Sequence, residues 1–478
     1  MRRMHELSLF VLALALGGAV AEAQETTRPA SPLDPAWTWT APAPIEWTAL
    51  VPGERWLRLA VATADGKVQV ISARTGEPRP VSVMQARAGL LPALLEPPIS
   101  GSSPQATYCF DRYCVYRIPS DTWPRVDWRY GEAPAPGEQF AGDPEVLNAW
   151  LAARMIGYTP GAARYGVIAV NSDGRIVLLS AGHGDVEWQG NLGRLAAVRL
   201  HTLSYQRGTD AVVLFRNAGR TQAAFLDLLW QEPKPLVREL DEPWPPFSAL
   251  IESGLLTVSG AEAVVWPAQG APRRFAVSEG AAPTSPVRVA LALEAVGTAP
   301  SRRFTGHRAL LVGEGARLSA FRVDTGERVW SRAAVLPDGL DIATIQAWYP
   351  KVVVTGARAA VACDLMTGVQ RCASKREAPF ELLRAEYVDG VLCVVYRHPA
   401  REGLLELECV GASERATTQP IGPSKPLVYA IQMRDAFREV LPLGNCIALV
   451  GRDGIYAYRP GWLKGRQGAP WVAVRPDE

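Results

Sequence analysis

Asp-Gly stands between alternating apolar runs at Asp65-Gly66, Asp173-Gly174 and Asp453-Gly454. Both central residues of a two-residue β-hairpin turn need positive φ, which Gly adopts without cost and Asp tolerates, so each site reads as a hairpin. Further hairpins centre near Arg112, Gly219, Gly260, Gly315, Arg358 and Arg401, and the nine centres lie 41 to 62 residues apart. Short strands at that period are the signature of a β-propeller. The expectation is an all-β chain forming a single propeller of four-stranded blades over residues 51–478. Eight blades are expected, with seven or nine left open. The longest interval holds a Pro-rich stretch at 131–142, followed by Asp143-Pro144-Glu145-Val146-Leu147-Asn148-Ala149-Trp150-Leu151. That run reads as a short N-capped helix with Pro at N1, set within an insertion near 123–155.

The recurring unit is an apolar strand, a tight turn, a second strand, then a Thr-Gly or Gly turn and often a Trp. Its clearest copy runs from Leu318 through Thr325-Gly326 to Trp330. The copy at Leu178 keeps Gly184 and Trp188 but has His183 in place of Thr. The copy at Val70 keeps Thr75 and Gly76, and the copy at Ala362 keeps Asp364, Thr367 and Gly368 with Cys372 in the Trp slot. A degenerate fifth copy follows Gly454.

The pattern Ala320-Phe321-x-x-x-Thr325-Gly326-x-x-x-Trp330 resembles the repeat of the quinoprotein-like, or PQQ-like, β-propellers, with Arg322 where that family usually has Asp. The resemblance implies that each Thr-Gly turn closes the hairpin between the third and fourth strands of a blade. Gly184, Trp188, Thr325, Gly326 and Trp330 are then structural, with the indoles packed between neighbouring blades. The family includes quinone-dependent dehydrogenases and a non-catalytic, BamB-like branch. Its quinone-binding members generally use adjacent cysteines and a metal held by Glu, Asn and Asp, and this chain has no adjacent cysteine pair. The resemblance therefore points to the non-catalytic branch more than to the dehydrogenases.

The first residues read as an export signal. Arg2 and Arg3 make a positive n-region, Leu7 to Val20 an apolar core and Ala21-Glu22-Ala23 a cleavage site, which predicts removal of residues 1–23 before Gln24. The apolar run is shorter than the roughly 20 residues a spanning helix needs, so no membrane span is expected. A periplasmic or extracellular location follows. Residues 24–50 are expected to be extended, either as a linker or as a strand closing the ring against Trp471-Val472-Ala473-Val474.

Seven cysteines suit an oxidising compartment. A two-residue turn at Asp111-Arg112 would place Cys109 opposite Cys114. Cys393 and Cys409 sit symmetrically about the loop from His398 to Gly403. Cys363 and Cys372 flank a turn and fall diagonally across it, and Cys446, in an apolar strand, reads as a buried thiol. Three disulfides are expected: Cys109 with Cys114, Cys393 with Cys409 and Cys363 with Cys372.

Composition bounds the function. Fifty Lys and Arg against 48 Asp and Glu leave a net charge of +2, too little for a nucleic-acid footprint. His183, His201, His307 and His398 have no metal-ligand spacing, and no nucleophile elbow, HExxH helix or phosphate-cradling loop appears. No catalytic, cofactor-binding or metal residue is assigned, and no cofactor is expected. Function is sought in loops, where propellers carry it. Trp123, Trp128, Tyr130, Trp244 and Phe247, in segments rich in Pro, are the candidate anchors for a protein partner, with cover of the propeller's own edge as the other use. The reading is a non-enzymatic interaction or scaffold module with a protein partner in the cell envelope or outside it. A polysaccharide-binding or polysaccharide-degrading propeller and a quinone-dependent oxidoreductase are the alternatives.

Overall fold

In a computed structural model the strands follow the hairpin pattern closely. The structure describes residues 31–32, 34–51, 58–65, 67–78, 84–85, 106–110, 114–119, 127–131, 149–157, 165–205, 208–228, 234–278, 287–296, 303–348, 351–388, 391–398, 403–411, 427–433, 436–443 and 446–459. These residues form nine sheets, most of them four-stranded and antiparallel. In chain order they are sheet 1 (45–85), sheet 2 (106–131), sheet 3 (150–191), sheet 4 (197–239), sheet 5 (247–276), sheet 6 (288–332), sheet 7 (344–375), sheet 8 (381–432) and sheet 9 (437–458). Each hairpin centre in the sequence falls between two paired strands of a different sheet.

From sheet 2 onward the sheets pack face to face in chain order, sheet 2 meeting sheet 3 through Val115 and Val167. One apolar cluster joins sheets 3 and 4 through Ile168, Ile176, Val213 and Phe215. Others join 4 to 5 through Leu214 and Trp266, 5 to 6 through Val265 and Leu310, 6 to 7 through Leu311 and Val354, 7 to 8 through Ala362 and Val394, and 8 to 9 through Leu407 and Leu449. A further cluster carries sheet 9 back onto sheet 1 through Val450, Trp39, Leu59 and Ile71. First strands of successive sheets are neighbours, as Trp150–Gly157, Ala197–Tyr205 and Phe247–Ile251 are. They therefore line the axis. This is a β-propeller. Its strands alternate between two buried faces, which is why they read as nearly continuous apolar runs such as Val352-Val353-Val354.

The ring is closed by the N-terminal segment. Pro35–Thr40 pairs antiparallel with Gly454–Tyr458 as the outermost strand of sheet 9, and Ile45–Val51 is the first strand of sheet 1. The strand expected at 471–474 lies outside the described residues, and the partner of Trp37 and Trp39 is 454–458. Most of the expected helix at 143–151 also lies outside them. Trp150 and Leu151 belong to a strand instead, since Trp150 pairs with Asn171 at the edge of an apolar meander.

The Thr-Gly turns have one geometry. Gly76, Gly184, Gly326 and Gly368 have φ of 72°, 74°, 77° and 64°, and their amides donate to the carbonyls of Ser72, Ser180, Arg322 and Asp364 at 2.8 to 2.9 Å. An aromatic ring of the preceding sheet in the ring lies on each glycine: Trp37, Trp128, Phe275 and Trp330 respectively. A Cβ on Gly368 would stand 2.6 Å from the Trp330 indole. Glycine is required here both by the positive φ and by the ring resting on it. The Nε1 of Trp128 donates to the Ala181 carbonyl at 3.3 Å and that of Trp330 to the Leu365 carbonyl at 2.9 Å, both in the turn three residues before the glycine. Trp188 packs into the cluster shared by sheets 3 and 4.

The cysteine geometry departs from expectation in two places. Phe110 pairs with Val115, so Cys109 faces Tyr116, while Cys114 faces Gly131 on the next strand. Cys363 and Cys372 both carry free thiols. A bulge after Ala362 sets Cys372 opposite Ala362. Cys363 then packs into the core shared with sheet 6 and Cys372 against the core shared with sheet 8. Two side chains on opposite faces of one sheet cannot meet in a disulfide, so that expected pair is withdrawn. Burial pushes the Cys363 thiol up to about 12 and the Cys372 thiol up to about 11. Cys393 and Cys409 stand directly opposite each other on adjacent strands, in one core, and both are thiols. Cys446 is buried as expected.

Candidate functional site

Polar side chains converge on the first strands of sheets 4 and 5. Along Ala197–Tyr205, Val198 and Leu200 enter the core shared with sheet 3. Period-two alternation turns Arg199 and His201 to the opposite face, where Ser248 of sheet 5 meets them. His201 Nε2 and Ser248 Oγ are 3.0 Å apart. Arg199 Nη1 donates to the Pro245 carbonyl at 2.7 Å and to Ser248 Oγ at 3.3 Å. Its guanidinium lies over the Trp244 ring at 5.0 Å, so the cation is fixed on three sides. Arg154, exposed on the neighbouring first strand, donates from Nη1 to the Ala153 carbonyl at 3.2 Å. Burial, then the charges of Arg154 and Arg199, lower the His201 pKa to about 4, so its imidazole is neutral at physiological pH. Desolvation also lowers the Arg199 pKa.

A second polar cluster joins sheets 7 and 8. Arg376 Nη2 lies 3.1 Å from Glu406 Oε2, and its Nε 3.3 Å from Glu408 Oε2. The guanidinium also covers the rings of Phe380 and Tyr396 at 5.6 and 5.7 Å. Ser374 Oγ and the Tyr396 hydroxyl are 2.6 Å apart. Glu408 is only 4% exposed, and burial raises its pKa although Arg376 opposes the shift. The tyrosine hydroxyl is pushed up by the same desolvation.

The aromatic residues singled out in the sequence occupy packing positions. Trp123 lies outside the described residues. Trp128 rests on Gly184, and Tyr130 meets Trp150 with ring centroids 5.8 Å apart. Trp244 packs on the core of sheets 4 and 5, and Phe247 on that of sheets 5 and 6. All four are half-buried. His183, exposed in its turn, donates its amide to Ser180 Oγ at 3.2 Å.

The sequence reading missed Arg154, Arg199 and Ser248, because nothing local marks which strand of a meander faces the axis. It also missed the surface apolar set. Val186, Leu236, Val237 and Val329 lie on fourth strands of their sheets, and Met366 and Val369 in the turn before a fourth strand. All six are therefore on the outer rim, with Val329, Met366 and Val369 each more than 40% exposed. No helix among the described residues is long and apolar enough to cross a membrane.

No family model matches this chain, and no curated protein does. Among solved structures it is similar to BamB from Moraxella catarrhalis, at 12% identity over 74% of this chain and 94% of that one, with a TM-score of 0.37. It is also similar to the WD40 domain of SCAP from fission yeast, at 10% identity over 89% and 97% with a TM-score of 0.45. The C-terminal WD40 domain of Sif2 gives 9% identity over 91% and 100%, with a TM-score of 0.44. At these values the likenesses assign neither a branch nor an activity. The propeller assignment comes from the sheet-to-sheet packing described above.

Proposed function

We propose that this propeller is a non-enzymatic interaction module, exported to the periplasm or beyond, of the BamB-like kind that its repeats resemble. The observation that carries the reading is the exposed apolar rim, with Val329 on the fourth strand of sheet 6 and Met366 and Val369 in the turn before the fourth strand of sheet 7. Large apolar side chains exposed on an outer edge are a cost in water that a partner surface removes. The chain itself supplies a precedent for edge pairing, since Ser31–Pro32 adds as a parallel fifth strand to the outer strand of sheet 8. The partner is a protein of the envelope or the extracellular space. Export also supports oxidation of Cys393 and Cys409, whose register suits a cross-strand disulfide.

The test is in-cell crosslinking of the tagged protein, purification and mass spectrometry, with the Val329→Asp, Val369→Asp double variant beside it. A stoichiometric partner whose yield falls about tenfold in the variant, a change of about 1.4 kcal/mol, supports the reading. A partner indifferent to the rim substitutions, or a chain recovered alone with a bound chromophore, overturns it. Fractionation and N-terminal sequencing of the same material should find Gln24 as the first residue outside the cytoplasm. Alkylation under denaturing conditions without reductant should leave Cys393 and Cys409 unmodified.

A further inference from the structure

We propose that a cavity between sheets 5 and 6 is a receptor for a neutral polyhydroxylated ligand, a single sugar unit that is either free or at the end of a glycan chain. The cavity measures about 290 Å³, at the small end of ligand pockets, which run from about 300 to 1,000 Å³. It is built by register. On the face of sheet 6 that meets sheet 5, Glu314 stands opposite Arg317, Val312 opposite Ser319 and Leu310 opposite Phe321, and side chains directly opposed on antiparallel strands are neighbours. Ser331 joins the middle row, its Oγ 2.9 Å from that of Ser319, and Arg328 extends the third. Across the cavity the fourth strand of sheet 5 ends at Ala276. Just beyond it, Ser278 donates from Oγ to Glu314 Oε2 at 2.8 Å.

The lining interleaves acceptors and donors beside an apolar wall. Glu314 accepts, Arg317 and Arg328 donate, and the Ser278 and Ser319 hydroxyls do either. Val312 and Phe321, both buried, form the apolar part. A sugar hydroxyl donates and accepts at once, and the sugar ring presents C–H groups that an apolar wall removes from water. Such a ligand needs no group that is unpaired beforehand, because a guanidinium has more N–H donors, and a carboxylate more lone pairs, than one contact uses. Charge selects against other small molecules. The Glu314 carboxylate repels an anion and the two guanidiniums repel a cation, whereas a neutral polyol meets neither penalty. The receptor needs no protein partner, so it stands or falls apart from the reading proposed above.

The full-length protein as purified is screened by saturation-transfer NMR against glucose, galactose, mannose and N-acetylglucosamine, with the amino acid alanine as a zwitterion for comparison, and any binder is titrated by calorimetry. Saturable binding of at least one sugar is expected. Ala276→Trp, at an exposed position on the cavity wall, fills the space and should abolish binding with circular dichroism and Tm unchanged. Glu314→Gln keeps the shape, removes the charged acceptor and should weaken binding about tenfold. The methyl glycoside and the trisaccharide of the same sugar separate the two sources. Binding of both as tightly as the free sugar identifies a chain end, and binding of the free sugar alone identifies a free ligand. Absence of transfer to all four sugars overturns the proposal, as does preference for alanine over the sugars, binding that survives Ala276→Trp, or equal binding by the parent and folded Glu314→Gln.

Discussion

The two polar clusters of this propeller use arginine in opposite ways. Between sheets 7 and 8, Arg376 sits among Glu406, Glu408, Phe380 and Tyr396, so its charge is matched by carboxylates. At the axial edge of sheets 3 to 5, Arg199 is held by a carbonyl, a hydroxyl and an indole, none of which carries charge. The first arrangement answers its own desolvation and acts as a clamp between blades. The second orients its guanidinium by uncharged partners alone.

The largest effect is expected from breaking the clamp. Arg376→Met leaves Glu408 buried with its opposing charge gone, and should cost about 3–5 kcal/mol in chemical denaturation at pH 7. Glu408 already has a raised pKa in the folded state. A carboxyl of that kind favours folding when protonated, and the benefit is lost as pH rises through its folded pKa. The deficit of the variant should accordingly shrink on acidification. A deficit that stays constant with pH would show that Arg376 acts by packing alone.

Next come the docking glycines. Gly368→Ala meets both a φ of 64° and the Trp330 indole, and should cost about 1–3 kcal/mol. Gly219 has a φ of 80° with nothing within 4 Å of a notional Cβ, so Gly219→Ala should cost about 1 kcal/mol or less. Equal costs would remove the ring contact from the account of blade docking.

His201 tests the open cluster. Its pKa is lowered in the folded protein from 6.5 to about 4, so folding favours the neutral ring. That stability is present above pH 6.5 and is lost as pH falls toward 4. His201→Gln should remove up to about 3 kcal/mol of this acid sensitivity, read as the change in Tm between pH 7 and pH 4. An unchanged pH profile would place the sensitivity elsewhere.

The smallest effect belongs to surface pairs that are neither clamp nor receptor. Arg220 lies 3.0 Å from Glu239, both well exposed. Arg220→Ala should change stability by less than about 0.5 kcal/mol, and a larger loss would show the rim of sheet 4 to be more constrained than its exposure implies.

The legible part of this protein was local. Asp65-Gly66, Asp173-Gly174 and Asp453-Gly454 each lie between paired strands, and Gly76, Gly184, Gly326 and Gly368 each close the same turn. Turn chemistry acts over four or five residues, so a single chain displays it without help from its fold. The half-buried state of Trp128 and Trp244 could not be read that way, because an aromatic beside Pro looks the same whether it meets a partner or its own neighbouring blade.

What the amino-acid sequence alone determined is thus the all-β class, the hairpin period and the glycines that the turns require. The tertiary structure decided the rest. It paired Pro35–Thr40 with Gly454–Tyr458, set Cys363 and Cys372 on opposite faces, and buried Glu408 against Arg376. It also brought Arg199 and His201 onto Ser248. Register and blade-to-blade contact depend on residues tens to hundreds of positions apart, and a one-residue bulge exchanges the two faces of a strand. No local signal carries that information.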